Sequence, residues 1–169
     1  MMTESILNGK KILLVDDEID VMMLVEEEIL YSCPHCHIDK AGTYEEGAKL
    51  LKSRAYDVVL LDIMGIRGFD LLKLAVSRNF KVAMLTVHAL NPEALKKSIE
   101  MSARAYLPKE RLGEIVPFLE DILTYEYLPG WKRVLTNLED FYNVRWGEEW
   151  QKPEAKFWKK FQKNKSSTR

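Results

Sequence analysis

Three acidic side chains follow short apolar runs of the sequence, and these residues are the best placed to do chemistry. Asp16 and Asp17 directly follow the apolar run 12–15. Asp62 directly follows the apolar run 58–61. Runs this short, rich in branched residues and without alternation, predict strands that are buried on both faces of a sheet. Because open α/β sheets place their ligand sites at the carboxyl ends of strands, we expect the three carboxylates to meet at one edge.

Two more polar residues follow predicted strands, Thr86 after the run 82–85 and Lys109 after the run 105–107 and a proline. Clustered carboxylates repel each other unless a cation neutralises them, and hard oxygen ligands suit Mg²⁺. A lysine offers positive charge to phosphate oxygens, and a threonine hydroxyl can donate to another. The set therefore predicts transfer of a phosphoryl group to a carboxylate. Asp62 is the expected nucleophile because it ends the central strand.

Predicted strands and helices alternate from residue 10 to residue 123. Alternation of this kind predicts a parallel α/β sheet. Thr43 and Glu46 have the spacing of a capping box, and Asn91-Pro92 reads as an N-cap followed by a first-turn proline. The predicted strands are 12–15, 37–41, 58–61, 81–85 and 105–107, and the predicted helices follow Glu18 and cover about 43–54, 69–78, 92–101 and 113–123.

Composition places the chain among globular proteins. It has 169 residues, of which 47% are hydrophobic and 30% charged, which suits one full domain and a small extension. No apolar run approaches the roughly 20 residues of a membrane span. The opening residues lack the basic-then-apolar order of a secretion signal, so we expect a cytoplasmic location.

The alternation of predicted strands and helices ends at residues 125–130, which contain Pro129 and Gly130. We therefore predict one domain over 1–126 and a helical extension with a basic tail over 127–169. The first predicted helix of the extension carries one apolar stripe, and the second, from about Pro153 to Lys163, sets aromatic residues against lysines. The stripe consists of Trp131, Val134, Leu135, Leu138, Phe141 and Tyr142.

The charge of the extension leaves several interpretations open. Residues 152–169 carry a net charge of +6, and the other 151 residues carry −7. The favoured interpretation is that the extension folds back on the domain or pairs with a second copy in a homodimer. The alternatives are contact of the basic segment around Trp158 with an anionic membrane or partner, or with nucleic-acid phosphates.

The sequence Cys33-Pro34-His35-Cys36-His37 matches patterns for a redox pair, a haem attachment site and half of a zinc site. The first cysteine of a redox pair usually lies at a helix N-terminus, which lowers its pKa, whereas this motif follows a predicted helix. Five adjacent residues also cannot enclose a metal without further ligands. We therefore favour a helix-to-strand loop with two reduced cysteines.

Over about residues 10–123 the chain resembles the receiver domain of two-component response regulators. The resemblance is carried by the opening strand with Asp16 and Asp17, by Asp62, by Leu85-Thr86 and by Lys109. It implies a flavodoxin-like doubly wound sheet of strand order 2-1-3-4-5. It further implies that Asp62 accepts a phosphoryl group from a sensor histidine kinase or phosphotransfer protein.

The resemblance also implies roles for the other site residues. Mg²⁺ would be held by Asp16, Asp17, Asp62 and the backbone carbonyl of Met64. Thr86 and Lys109 would contact the phosphoryl group. Thr86 and Tyr106 would form a switch that alters the surface of the fourth helix, fifth strand and fifth helix. The chain would then signal through contacts with a downstream protein and would not act as an enzyme.

Three features depart from the usual pattern of that family. The loop between Asp62 and Gly68 is shorter, Glu110 follows Lys109 where a proline is usual, and Val87 replaces a smaller residue. Two other functions compete with the receiver interpretation. A haloacid-dehalogenase-like phosphatase would need an Asp-x-Asp motif after the first strand, which this chain lacks. A phosphorylation-independent scaffold that signals through the extension is the other alternative.

Overall fold

The computed structural model describes residues 4–162. Five parallel strands form one sheet in the order β2-β1-β3-β4-β5, as predicted. The three central strands are almost wholly buried, which explains their unbroken apolar sequences. The strands are β1 (Lys11–Val15), β2 (His37–Ala41), β3 (Val58–Asp62), β4 (Lys81–Thr86) and β5 (Ala105–Pro108).

Five helices connect and follow the strands in a doubly wound flavodoxin-like arrangement. Helix α1 packs against α5, and α2 packs against α3. A 3₁₀ turn, Val87–Ala89, follows β4, and a 3₁₀ stretch, Lys109–Glu114, precedes α5. The helices are α1 (Ile19–Ser32), α2 (Tyr44–Ser53), α3 (Gly68–Ser77), α4 (Pro92–Glu100) and α5 (Ile115–Thr124).

Local signals in the sequence explain where these helices begin. The Thr43 side chain accepts a hydrogen bond from the Glu46 amide at 3.2 Å, and the Asn91 side chain accepts one from the Ala94 amide at 2.8 Å. Each bond satisfies an amide that would otherwise lack a partner in the first turn. Pro117 lies in the first turn of α5, where its missing N–H costs no helical hydrogen bond.

The first part of the extension forms two helices, α6 (Tyr127–Asn137) and α7 (Glu139–Trp146). The predicted stripe is buried except for Phe141, which is half-buried, but it is divided between the two helices at Leu138. Helix α5 ends at Thr124 and α6 begins at Tyr127, so the helical structure is interrupted within the predicted range 125–130, and Pro129 and Gly130 lie in the first turn of α6. The division into domains at 126/127 stays a prediction.

The second helix predicted for the extension, from Pro153 to Lys163, is wrong as a continuous element. The structure has a short helix, α8 (Ala155–Trp158), between the 3₁₀ turns Lys152–Glu154 and Lys159–Phe161, and residue 163 lies outside the described range. So short an isolated helix gains little from its own hydrogen bonds. The segment is held instead by its aromatic rings, since Trp158 and Phe161 are buried.

Within residues 4–162, no helix combines the length and the apolar character needed to cross a bilayer. The predicted cytoplasmic location stays a prediction.

Candidate functional site: an acidic cluster at the carboxyl edge of the sheet

The structure brings Asp16, Asp17 and Asp62 together, as the sequence predicts. Strands β1 and β3 are neighbours with Val15 opposite Leu61, so the next residue of each strand reaches the same edge. One oxygen from each of the three carboxylates lies within 4.8 Å of the others. Asp16 and Asp62 are buried and Asp17 is exposed, so the cluster opens toward solvent on one side.

Lys109 lies across this cluster. Its Nζ atom is 2.8 Å from Asp16 Oδ2, 3.2 Å from Asp62 Oδ1 and 2.8 Å from Glu18 Oε1. The Lys109 side chain is only 7% exposed, so its charge acts in a partly desolvated environment. Glu18 was not assigned a role from the sequence, although it is the third of three consecutive acidic residues.

The pKa values of these groups reflect their burial first and the neighbouring charges second. Burial and the neighbouring Asp16 carboxylate raise the pKa of Asp62 from 3.8 to about 6, although Lys109 opposes them. Burial also raises the pKa of Asp16. Burial lowers the pKa of Lys109, but hydrogen bonds to Asp16 and Glu18 outweigh it, and the pKa is raised overall. One ammonium group therefore does not fully neutralise the cluster, and an added cation would be stabilised there.

This imbalance predicts that Asp62→Asn stabilises the metal-free protein at neutral pH. Because the folded chain keeps the Asp62 proton up to a pH of about 6 and the unfolded chain only to 3.8, the folded chain binds more protons between these values. The free energy of unfolding should therefore fall as pH rises through that interval. Above it, the substitution should raise the free energy of unfolding by on the order of 2 kcal/mol.

Urea unfolding between pH 4 and 8 in the presence of a chelator measures this effect. Glu148→Gln, in an exposed turn, is the matched control and should leave the pH profile unchanged. A variant Asp62→Asn that is less stable than the wild type at pH 7.5 would contradict the electrostatic argument.

The loop after Asp62 is folded tightly against the cluster. Gly65 has φ +84°, and a Cβ atom there would lie 2.4 Å from Asp17 Oδ2. A Cβ atom at Gly68 would lie 2.1 Å from the backbone carbonyl oxygen of Asp62. Only glycine fits at these two positions, which is how the short loop returns to α3 within so few residues.

A cleft of about 340 Å³ opens beside the cluster. It is bordered on one side by the acidic residues and on the other by the segment after β4. Met64, a predicted ligand, lines it with a side chain that is largely exposed. The lining residues are Asp17, Glu18, Asp62, Met64, Gly65, Thr86, Val87 and Leu90.

Thr86 and Tyr106 are both buried near this cleft. Thr86 ends β4, and Leu85 before it pairs with Asp62. The Tyr106 side chain is fully buried, and its hydroxyl donates to the backbone carbonyl of Ala89 in the turn that follows Thr86. The structure therefore brings the two predicted switch residues to the same turn, with the tyrosine ring turned inward.

The cysteine motif forms no comparable site. Cys33 and Cys36 are buried and reduced, and the Cys36 thiol donates to the Leu7 carbonyl at 2.8 Å. Burial raises the pKa of Cys36 to about 12, which disfavours a reactive thiolate. Among the described residues, the aspartate cluster is the only group of three or more potential ligands close enough to hold a metal. These observations favour the interpretation of a simple loop.

A doubly wound sheet with carboxylates and a lysine at the carboxyl ends of its strands defines a flavodoxin-like protein with an acidic site at the usual edge of the sheet. The family model described as "Response regulator receiver domain" matches residues 12–117. This match covers more than half of the chain, so the chain belongs to the response regulator receiver family. Receiver domains are signalling modules of two-component systems, and the cluster of Asp16, Asp17 and Asp62 fits their phosphorylation site.

Solved structures support the same fold. The receiver domain of NtrX from Brucella abortus is 26% identical with a TM-score of 0.57, and the match covers 68% of this chain and 99% of that one. DrrB, an OmpR/PhoB homologue from Thermotoga maritima, is 25% identical with a TM-score of 0.53, and the match covers 66% of this chain and 52% of that one. A CheY-like receiver domain protein from Methanospirillum hungatei JF-1 is 23% identical with a TM-score of 0.57, covering 68% and 96%. No curated protein matches the chain.

Proposed function

We propose that Asp62 accepts a phosphoryl group from a sensor histidine kinase or phosphotransfer protein, with Mg²⁺ bound at the acidic cluster. The observation that carries this proposal is the convergence of three carboxylates within 4.8 Å, with Lys109 in contact with two of them. The chain would act as a response regulator that signals to a downstream protein through contacts and not as an enzyme.

The donor set fits Mg²⁺. Asp16, Asp17 and Asp62 supply hard oxygen atoms, and the exposed side of the cluster leaves room for the water ligands that Mg²⁺ usually keeps. Burial and the neighbouring Asp16 carboxylate raise the pKa of Asp62, and a bound cation would oppose both effects. The backbone carbonyl of Met64 is the further ligand that the family resemblance implies. When bound, the ion would offset the negative charge of the carboxylates and of the incoming phosphoryl group.

Asp62, Lys109 and Thr86 have different roles in the phosphoryl transfer. An Asp62 carboxylate oxygen attacks phosphorus, an acyl phosphate forms, and the bond between phosphorus and the donor breaks. Lys109 can shift from the carboxylates toward the phosphoryl oxygens, where its charge stabilises the transition state. The Thr86 hydroxyl, at the end of the neighbouring strand, can donate to another phosphoryl oxygen.

Lys109→Ala should slow phosphorylation of Asp62 by about 100-fold, because it removes a charge aimed at the transferring group. The rate is measured by intact mass at several times after acetyl phosphate and Mg²⁺ are added. Arg111→Ala is the control, since Arg111 lies in the same 3₁₀ stretch but pairs with Glu114. Equal rates for Lys109→Ala and the wild type would refute the assigned role.

The proposal itself is tested by incubation with Mg²⁺ and acetyl phosphate, followed by intact mass. The wild type should gain about 80 Da, the mass of one phosphoryl group, and Asp62→Asn should gain nothing. Chelation of Mg²⁺ should abolish the gain. A gain that persists in Asp62→Asn would overturn the assignment of the acceptor.

The burial of the aromatic residues in the extension limits how it could contact a membrane or nucleic acid. Trp158 and Phe161 are buried, so they are not presented for insertion into a membrane. Lys156, Lys159 and Lys160 are exposed, so contact with a membrane or nucleic acid would be mainly electrostatic. Binding to anionic vesicles and to DNA at two salt concentrations tests this contact, and the homodimer stays a prediction.

A further inference from the structure

The extension is joined to the receiver by hydrogen bonds from buried aromatic side chains to the receiver backbone. Trp131 Nε1 donates to the Ala103 carbonyl at 2.8 Å, and the Tyr142 hydroxyl donates to the Tyr106 carbonyl at 2.8 Å. Trp131 and Tyr142 are both fully buried. Helix α6 also packs on α5 and β5, so the extension covers an edge of the receiver sheet.

A continuous set of contacts leads from the acidic cluster to the extension. The turn Val87–Ala89 directly follows Thr86, and the backbone carbonyl of Ala89 accepts a hydrogen bond from the Tyr106 hydroxyl. The Tyr106 and Tyr142 rings are 6.5 Å apart, and α7 also packs against the same turn. Tyr142 in turn stacks on Trp146 with ring centroids 4.7 Å apart and an interplanar angle of 1°.

The turn and the residue after it have a backbone conformation that needs support from the surrounding structure. Ala89 and Leu90 have φ values of 61° and 57°, in the left-handed region that side chains other than glycine rarely adopt. Such residues persist only where the surrounding structure holds them. The surrounding contacts come from the Tyr106 hydroxyl and β5, from the 3₁₀ stretch Lys109–Glu114 and from α7, so the extension is one of the elements that stabilise the segment next to Thr86.

We propose that α6 and α7 are the built-in readout of this receiver, and that Tyr142 positions Tyr106 and the turn after Thr86. This inference rests on the proposed phosphorylation of Asp62. A displacement of Thr86 moves the turn, and Tyr106 passes the change to Tyr142 and Trp146. The extension remains docked, because its aromatic core stays buried, and only the packing around Tyr142 changes. The first partner of the switch is thus a segment of the same chain.

Tryptophan emission provides a direct test, because all four tryptophans lie between residues 131 and 158, in the extension. Acetyl phosphate and Mg²⁺ are added to the full chain, and emission and intact mass are followed together. We expect an emission change with the same half-time as the gain of phosphoryl mass, and none in Asp62→Asn. A full mass gain with unchanged emission would overturn the proposal.

Two matched tyrosine variants separate coupling from general packing. Tyr142→Phe removes the hydrogen bond to the Tyr106 carbonyl, whereas Tyr127→Phe removes a comparable bond from α6 to the Ile99 carbonyl, away from the turn. Losing one hydrogen bond should shift the equilibrium between the turn before and after displacement of Thr86 by about fivefold. The emission change on phosphorylation should therefore be smaller in Tyr142→Phe than in the wild type. Tyr127→Phe should respond like the wild type. Equal responses in the two variants would refute the role of Tyr142.

Hydrogen exchange distinguishes failure of this inference from failure of the proposed function. If the wild type gains no mass, the phosphorylation proposal fails, and the exchange of amides 86–90 then decides whether the extension controls the turn. Faster exchange there in Tyr142→Phe than in the wild type and Tyr127→Phe would support the inference. Identical exchange in all three proteins would overturn it.

Discussion

Gly68→Ala should destabilise the protein by about 3 kcal/mol or more and disable the acidic site. The added Cβ atom would lie 2.1 Å from the Asp62 carbonyl oxygen and 2.8 Å from the Ile63 Cα atom. Both neighbours are backbone atoms, which cannot rotate away as a flexible side chain could. Relief therefore requires the end of β3 or the start of α3 to move, and either movement displaces Asp62.

Urea unfolding and acetyl phosphate labelling of the Gly68→Ala variant measure the two effects. Gly113→Ala is the matched control, because a Cβ atom at Gly113 would meet no atom within 4 Å. It should leave both stability and labelling close to those of the wild type. A stable Gly68→Ala variant that is phosphorylated normally would show that the short loop is not constrained as described.

Trp131→Ala should lower the free energy of unfolding by about 3–5 kcal/mol, as is usual when a fully buried large aromatic residue is removed. Trp131 is inaccessible to solvent and belongs to the same core as the receiver strands. Its loss leaves a cavity, and it leaves the Ala103 carbonyl without the indole N–H.

Urea denaturation followed by circular dichroism, which does not depend on Trp131 emission, measures this loss. Val144→Ala, at an 85% exposed position of α7, is the control and should change stability little. Trp131→Phe keeps most of the ring and should fold even if the alanine variant does not, with a smaller loss of stability. A Trp131→Ala variant as stable as Val144→Ala would mean that the extension is not part of the folded core.

The strands and the parallel sheet could be predicted from local signals, whereas the strand order followed from the resemblance to receiver domains. The central strand Val58–Asp62 is buried along its whole length, and its first four residues form a continuous apolar run. Thr43 and Asn91 form the expected N-caps. The helices of the extension were harder to predict. The periodicity of the apolar stripe does not reveal the division at Leu138. The spacing of Phe157, Trp158 and Phe161 is that of a helix, although only Ala155–Trp158 is α-helical there.

The aspartates of the candidate site were predictable because each follows a strand directly. Their convergence is confirmed, and Lys109 is also in place. The contact of Lys109 with Glu18 was not predicted, since it depends on how a long side chain reaches across the sheet edge. The contact of Tyr142 with Tyr106 joins residues 36 positions apart in sequence, and only the packing of α7 brings them together.

Locating the phosphoryl group tests most directly whether Asp62 is the phosphoacceptor. After treatment with acetyl phosphate and Mg²⁺, borohydride reduction of the acyl phosphate and peptide mapping identify the modified residue. We expect modification at Asp62, with Asp16 and Asp17 unmodified and the label absent when Mg²⁺ is chelated. Modification at another residue, or none in a folded protein that binds Mg²⁺, would contradict the claim that this acidic cluster is a phosphoacceptor site centred on Asp62.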